Sequence, residues 1–260
     1  KFDMKRLSVI LAALFVCLSS AVQAASYKIP VGEFSELELD DNINVVYSSN
    51  PDSVGYVAFE TEPEYARYII ATNNGGKLRL QLEQEGVEMA KKPTLYVYSS
   101  FLSKIENSKD STLYVSGVKP AAKISVTLQG NGKIVAKDLD ATNLDLRLLT
   151  GKGTVEAYGK CDNLTINNVG TGEIRAVGVV AKDVKCRIVG TGNISCQPTN
   201  TLSVGGAGTG KVYYKGAPNK VTTSKIGSIK AVKVDIAEPT VVEEEPAAEE
   251  PASEEGFTDI

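Results

Sequence analysis

Residues 151–172 read GKGTVEAYGKCDNLTINNVGTG, and residues 170–192 repeat the pattern as GTGEIRAVGVVAKDVKCRIVGTG. Each stretch opens and closes on a Gly-x-Gly corner, with apolar and polar side chains alternating in between. Two more corners flank them, so the first glycines are Gly130, Gly151, Gly170, Gly190 and Gly208 and the second are Gly132, Gly153, Gly172, Gly192 and Gly210. The first glycines are separated by 21, 19, 20 and 18 residues (151−130, 170−151, 190−170, 208−190). A fixed period in this range, punctuated by turns, is the mark of a solenoid.

Aligned on the corners, the fourth position after the first glycine is Ile134, Val155, Ile174, Ile194 and Val212. Two residues further stand Ala136, Ala157, Ala176, Cys196 and Tyr214. Strand side chains alternate with period two, so both sets point to one side. A second alternating set precedes each following corner: Leu164 and Ile166, then Val184, Cys186 and Ile188, then Leu202 and Val204. Each coil therefore carries two short inward-facing strands. Leu113 and Val115, with Ile124, Val126 and Leu128, fit a further coil before Gly130, and Ile226-Gly227-Ser228-Ile229 resembles a decayed last corner. No coil can cover its own apolar side, so stability must come from stacking, with parallel pairing and right-handed crossovers. The pattern predicts an all-β fold, a right-handed parallel β-helix with repeated coils over residues 108–236.

Residues 25–107 lack the corners but hold alternating runs at Phe34–Leu39, Ile43–Tyr47, Tyr56–Phe59, Leu78–Leu82 and Leu95–Tyr98. Asn73-Asn74-Gly75-Gly76 signals a hairpin, and Glu64 to Ile70 suits a helical turn or two. This region is expected to form the first coils and a β cap over the exposed starting edge. Past Ile236 the chain becomes rich in Glu, Pro and Ala, and residues 237–260 are expected to be a disordered acidic tail.

The 260 residues include no His and no Trp. Without His, the commonest general acid–base and metal ligand is missing, and Ser–His and Cys–His pairs are excluded. A net charge of −4 with no basic stripe argues against nucleic acid as a partner. The Lys5-Arg6 pair, the apolar run from Leu7 to Leu18 and the Val22-Gln23-Ala24 site form an export signal over residues 1–24, with Lys1 to Asp3 upstream of Met4. The run is too short for a membrane-spanning helix. The mature chain then has no transmembrane span and resides in the periplasm, on the outer membrane surface or outside the cell. Cys17 offers a lipoprotein reading that Val16 weakens. Cys161, Cys186 and Cys196 are odd in number, so one thiol stays unpaired in a monomer.

The signal, the Gly32-x-Phe34 entry into alternating strands and the repeated corners together resemble the head GIN domain family of putative auto-transporter adhesins, over about residues 27 to 232. The resemblance implies an exported β-helix-like domain of Gram-negative bacteria and brings no catalytic residues. The acidic tail lacks the amphipathic strands of a membrane-barrel translocator, a departure from self-export.

Candidate ligand contacts are Thr171, Thr191 and Thr209, equivalent corner residues whose hydroxyls would line up either to bind a glycan or protein or to satisfy the corners. The glycines lead into strands rather than helices, which sets aside phosphate binding. Cys186 and Cys196 occupy inward positions, whereas Cys161 sits near a turn and reads as the most reactive thiol. Asp40-Asp41-Asn42 and Asp138-Leu139-Asp140 are open to a calcium reading or a turn reading. Glu156 and Arg175 fall side by side on adjacent coils and should form an ion pair. No cofactor, metal or catalytic residue is assigned. The expected function is a non-enzymatic cell-surface or periplasmic scaffold binding a glycan or protein. The alternatives are a polysaccharide-active β-helix enzyme and a structural module of an envelope assembly.

Overall fold

The computed structural model describes residues 24–49, 54–83, 92–224, 228–235 and 258–259. The export signal, Cys17, Ile226-Gly227 and most of the acidic tail lie outside the described residues.

The repeats wind as expected into a β-solenoid. Four long strands, β11 (Lys133–Thr150), β12 (Thr154–Gly170), β13 (Glu173–Gly190) and β14 (Asn193–Gly208), each run from one glycine corner to the next and pair parallel with their neighbours. Ile134, Val155, Ile174, Ile194 and Val212 are consecutive Cα partners, and all five are fully buried. Leu146, Ile166, Cys186 and Val204 form the facing row from the later part of each coil.

Between these two rows lies a third that the glycine alignment did not reveal. Pairing lapses around Asp138 and resumes at Leu139, giving a short middle run in which Ala141, Cys161, Ala181 and Pro198 are partners and buried. The bend is made by Asp138 at φ 57° and, one coil on, by Gly159 at φ 139°. The run escapes the eye because its residues are small and irregularly spaced, so no clean period two survives.

Both glycines of each corner are needed, for different reasons. Gly170 has φ 127°, which L side chains rarely adopt, whereas Gly172 has ordinary φ but lies so close to the previous corner that a Cβ would sit 2.3 Å from the Gly153 carbonyl oxygen. The first lets the chain turn and the second lets the turns stack.

At the N-terminal end the stacking order leaves the sequence order. The elements there are β2 (Glu36–Leu39), β3 (Asn44–Ser48), β4 (Tyr56–Thr61), helix α1 (Pro63–Ala66), β5 (Ile69–Asn74), β6 (Lys77–Leu82), β7 (Thr94–Tyr98), β8 (Lys104–Asn107), β9 (Thr112–Ser116) and β10 (Ala121–Gln129). β2 lies between β6 and β8, and β3 between β7 and β9, all parallel. The chain thus lays its second described coil outside the first, then crosses back to continue inward through β8 and β9 toward β10 and β11. The β5–β6 hairpin turns at Gly75 and Gly76, at φ 61° and 84°, the two positive values of a type I′ turn. The helix is a single turn, and Ile69 and Ile70 belong to β5.

β4 adds antiparallel to β7, and β1 (Ala25–Pro30) antiparallel to β4, closing this end. Aromatic rings fill the core beneath the cap: Tyr27 stacks on Phe59 at 5.5 Å and Phe34 meets Tyr47 edge-on at 6.3 Å. Aliphatic rows fill the rest, and the buried side chains form one continuous core. At the other end β15 (Lys211–Tyr214), β16 (Lys220–Thr223) and β17 (Lys230–Lys233) complete the stack. Within the acidic tail, expected to be disordered throughout, Thr258–Asp259 form a short strand β18 beside β1.

Candidate functional site

The corner row has a clear structural job. Asn42 Oδ1 accepts the Asp110 N–H at 3.0 Å, Asp110 Oδ1 accepts the Asn131 N–H at 3.0 Å, and Asn131 Oδ1 accepts the Lys152 N–H at 3.1 Å. Each side chain caps the amide of the next layer, and the two Asn131 bonds hold the Asp110 carboxyl below the usual range. Beyond Lys152 the backbone takes over. The amides of Thr171, Thr191 and Thr209 donate to the carbonyls of Gly151, Gly170 and Gly190 at 3.2, 3.1 and 3.0 Å. The three threonines are exposed and follow the paired glycines in line. Thr171 alone reaches back to a carbonyl, that of Gly151, at 3.4 Å. Beside them runs an outward aliphatic row, Val169, Val189 and Ala207.

The two acidic triplets are built into the frame. Asp41 accepts the Leu82 N–H at 2.9 Å, Asp40 pairs with Arg79 at 3.1 Å, and Asp140 pairs with Lys160 at 3.1 Å. Among the described residues no group of three or more acidic or thiol side chains is placed to hold a metal ion. Glu156 and Arg175 are Cα partners, bonded at 3.1 Å, within a chain of charges that adds Lys133 and Glu173.

Cys161 departs from its expected role. It faces the core in the middle run, and burial, with the Asp162 charge behind it, pushes its thiol up to about 12. Cys186 and Cys196 are buried neighbours, and the hydrogen bond between them, with burial, raises the Cys186 thiol as well. All three are free thiols. Next to Cys161 is a shallow depression of about 430 Å³ whose walls include Asp140, Lys160, Asp162 and Lys182. Its charges close on one another, with Lys182 at 2.6 Å from Asp162.

A different surface was hidden from the sequence. On the outward side of β7, β3, β9 and β11, the residues Tyr96, Val46, Tyr114 and Val135 follow one another as Cα partners. Tyr98 lies two residues beyond Tyr96 and opposite Tyr56 of β4, with the Lys28 ammonium 3.9 Å over the Tyr56 ring. Four tyrosines therefore gather on one sheet face, Tyr96 and Tyr114 being two strand spacings, about 9.5 Å, apart. They come from three strands, β4, β7 and β9, and the last two are brought to either side of β3 by the reversed coil order, so no local motif marks them.

The sequence pattern of the family described as putative auto-transporter adhesin, head GIN domain, matches residues 33–218. The chain belongs to that family. Solved structures agree on the fold of this head GIN domain. A putative adhesin from Bacteroides fragilis, 20% identical, superposes with a TM-score of 0.74 over 82% of this chain and 97% of that one. A putative lipid binding protein from Parabacteroides distasonis, also 20% identical, gives 0.65 over 82% and 98%. A putative adhesin from Parabacteroides merdae, 18% identical, gives 0.62 over 82% and 97%. No curated protein matches the chain.

Proposed function

We propose that the protein is a non-enzymatic adhesin-like scaffold, exported to the periplasm or cell surface, that docks a glycan or protein partner on the tyrosine face of β7, β3 and β9. The observation carrying this reading is the outward row Tyr96, Val46, Tyr114 with Tyr98 and Tyr56 alongside. Tyrosine offers a broad, rigid, apolar ring with a polar rim at low entropic cost, the combination favoured in recognition surfaces. The ladder-like face supplies several contacts of this kind on a hydrogen-bonded sheet, with no reorganisation of the backbone.

A polysaccharide-active enzyme would need two carboxyl groups opposed across a cleft. The close pair Glu38 and Asp40 instead lies on β2 and just past its end, and is neutralised by Lys77 and Arg79. The family's description as adhesins, and the adhesin description of two of the similar folds, support binding rather than turnover.

The test is binding of the purified domain to a glycan array and to envelope extracts, repeated with Tyr96→Ser and Tyr114→Ser together. Loss of at least tenfold in affinity with an unchanged melting temperature is expected. Binding that survives this change but is lost in Thr171→Ala, Thr191→Ala, Thr209→Ala would move the site to the corner row. Turnover of a bound polysaccharide would overturn the reading.

A further inference from the structure

β1 stands at one extreme of the solenoid. Along its whole length one side pairs with β4, Ala25 opposite Thr61 through Pro30 opposite Tyr56. Its other side would present a row of open amides and carbonyls, the feature that most readily recruits a foreign strand. That side pairs parallel with β18, Tyr27 opposite Thr258 and Lys28 opposite Asp259. β18 belongs to the far end of the chain: the residues described before it end at Asp235, next to β17 at the opposite end of the stack.

We propose that the open edge of β1 is a strand-acceptor site and that the same chain's C-terminal segment fills it, tying the last coil back to the first strand. The reach is sufficient. Ten pairings separate β1 from β17 through β4, β7, β3, β9, β11, β12, β13, β14 and β15. At about 4.8 Å each this is about 48 Å. The 22 residues from 236 to 257 (257−235) can extend to about 75 Å, against about 26 Å for a relaxed flexible coil. Even for a relaxed coil, the chance of meeting across that span corresponds to an effective concentration of about 0.1 mM. At micromolar protein the same chain's segment therefore outcompetes that of a neighbour.

Amide hydrogen exchange of the full chain at micromolar concentration tests this. The comparison is with the double variant Thr258→Pro, Asp259→Pro, which removes whichever of the two amides donates to β1. Exchange over residues 25–30 is expected to rise at least tenfold while β13 is unchanged, and a synthetic peptide of residues 254–260 should restore protection. A chain lacking residues 237–260 should behave as the double variant does. Equal exchange in all three proteins would overturn the proposal. Protection that fades on dilution together with a dimeric mass would assign the acceptor site to a second copy, overturning closure within one chain.

Discussion

The guanidinium of Arg79 donates two hydrogen bonds, at 3.1 and 3.0 Å, to the Glu38 carboxylate across the boundary where a later coil lies outside an earlier one. Lys77 adds a second cation to the same oxygen at 2.5 Å. On the other side of that coil Lys104 of β8 bonds Glu36 at 3.5 Å. The layer formed by β2 is thus fastened to both neighbours by charges, at the place where the winding is least dictated by chain connectivity.

Replacing Glu38 by Ala should loosen this boundary. Charge-assisted hydrogen bonds of this kind contribute about 1.5–3 kcal/mol. A loss near that size in urea unfolding is expected, whereas Glu173→Ala, on an exposed pair, should cost less than about 1 kcal/mol.

The same carboxylate shapes the response to acid. Burial would raise its pKa, but the hydrogen bonds and charges of Lys77 and Arg79 outweigh burial and hold it below the ordinary value. A lowered pKa means that the unfolded chain binds the proton more readily, so this stabilisation is complete above about pH 4.3 and fades as pH falls through the folded value. Asp40 is shifted up by burial and by the Glu38 charge and opposes this slope. Unfolding free energy measured from pH 6 to pH 3 should fall less steeply in Glu38→Gln than in the parent; equal slopes would contradict the assignment.

The two kinds of glycine can be separated by substitution. Gly172→Ala places a methyl group 2.3 Å from the Gly153 carbonyl oxygen, while at Gly205, where φ is ordinary, the nearest atom to an added Cβ is Ser224 Cβ at 3.5 Å. Overpacking of this sort costs about 1–3 kcal/mol, which in a chain of this size lowers Tm by roughly 3–10 °C. Gly205→Ala should leave Tm within about 2 °C by calorimetry.

Two buried asparagines occupy a row otherwise filled by Leu39, Leu128, Leu148 and Ile188. Asn107 has both its side-chain nitrogen and its oxygen bonded, donating to the Ser111 carbonyl at 2.9 Å and accepting the Lys109 N–H at 3.1 Å. Asn168 donates to the carbonyls of Gly172 and Asn193, at 2.9 and 3.0 Å, yet its Oδ1 has no partner. An unsatisfied buried acceptor costs about 1–3 kcal/mol, which offsets what the amide gains. Asn107→Leu should therefore destabilise more than Asn168→Leu, by about 1–2 kcal/mol in denaturant titration.

The thiols should be silent in the native state. With Cys161 pushed up to about 12 and Cys161, Cys186 and Cys196 all buried, an aromatic disulfide reagent at pH 8 should label none of these three until urea unfolds the protein. Rapid native labelling of Cys161 would contradict its inward placement.

Much of the fold was legible because the corners repeat faster than they vary. Ile134, Val155, Ile174, Ile194 and Val212 can be aligned by eye since each must face the same interior at the same distance from a glycine. The hairpin at Gly75-Gly76 was legible for a local reason, two consecutive residues needing positive φ. Cys161 was misplaced because the middle run that turns it inward has no periodic signature, only Ala141, Ala181 and Pro198 as partners.

The chain's own order of residues determined that it would coil, how many residues each coil would take and which aliphatics would meet inside, because these follow from side-chain periodicity and backbone freedom. It could not determine the order in which the first coils stack, since β2 pairs with β6 and β8 through backbone groups that every strand possesses. That order was decided by tertiary contacts: the Glu38 clamp, the aromatic plug beneath β1 and β4, and the crossover from β7 to β8 past the β2–β3 layer. The tyrosine face follows from it, because Tyr96 and Tyr114 become neighbours of Val46 only once β3 is inserted between their strands.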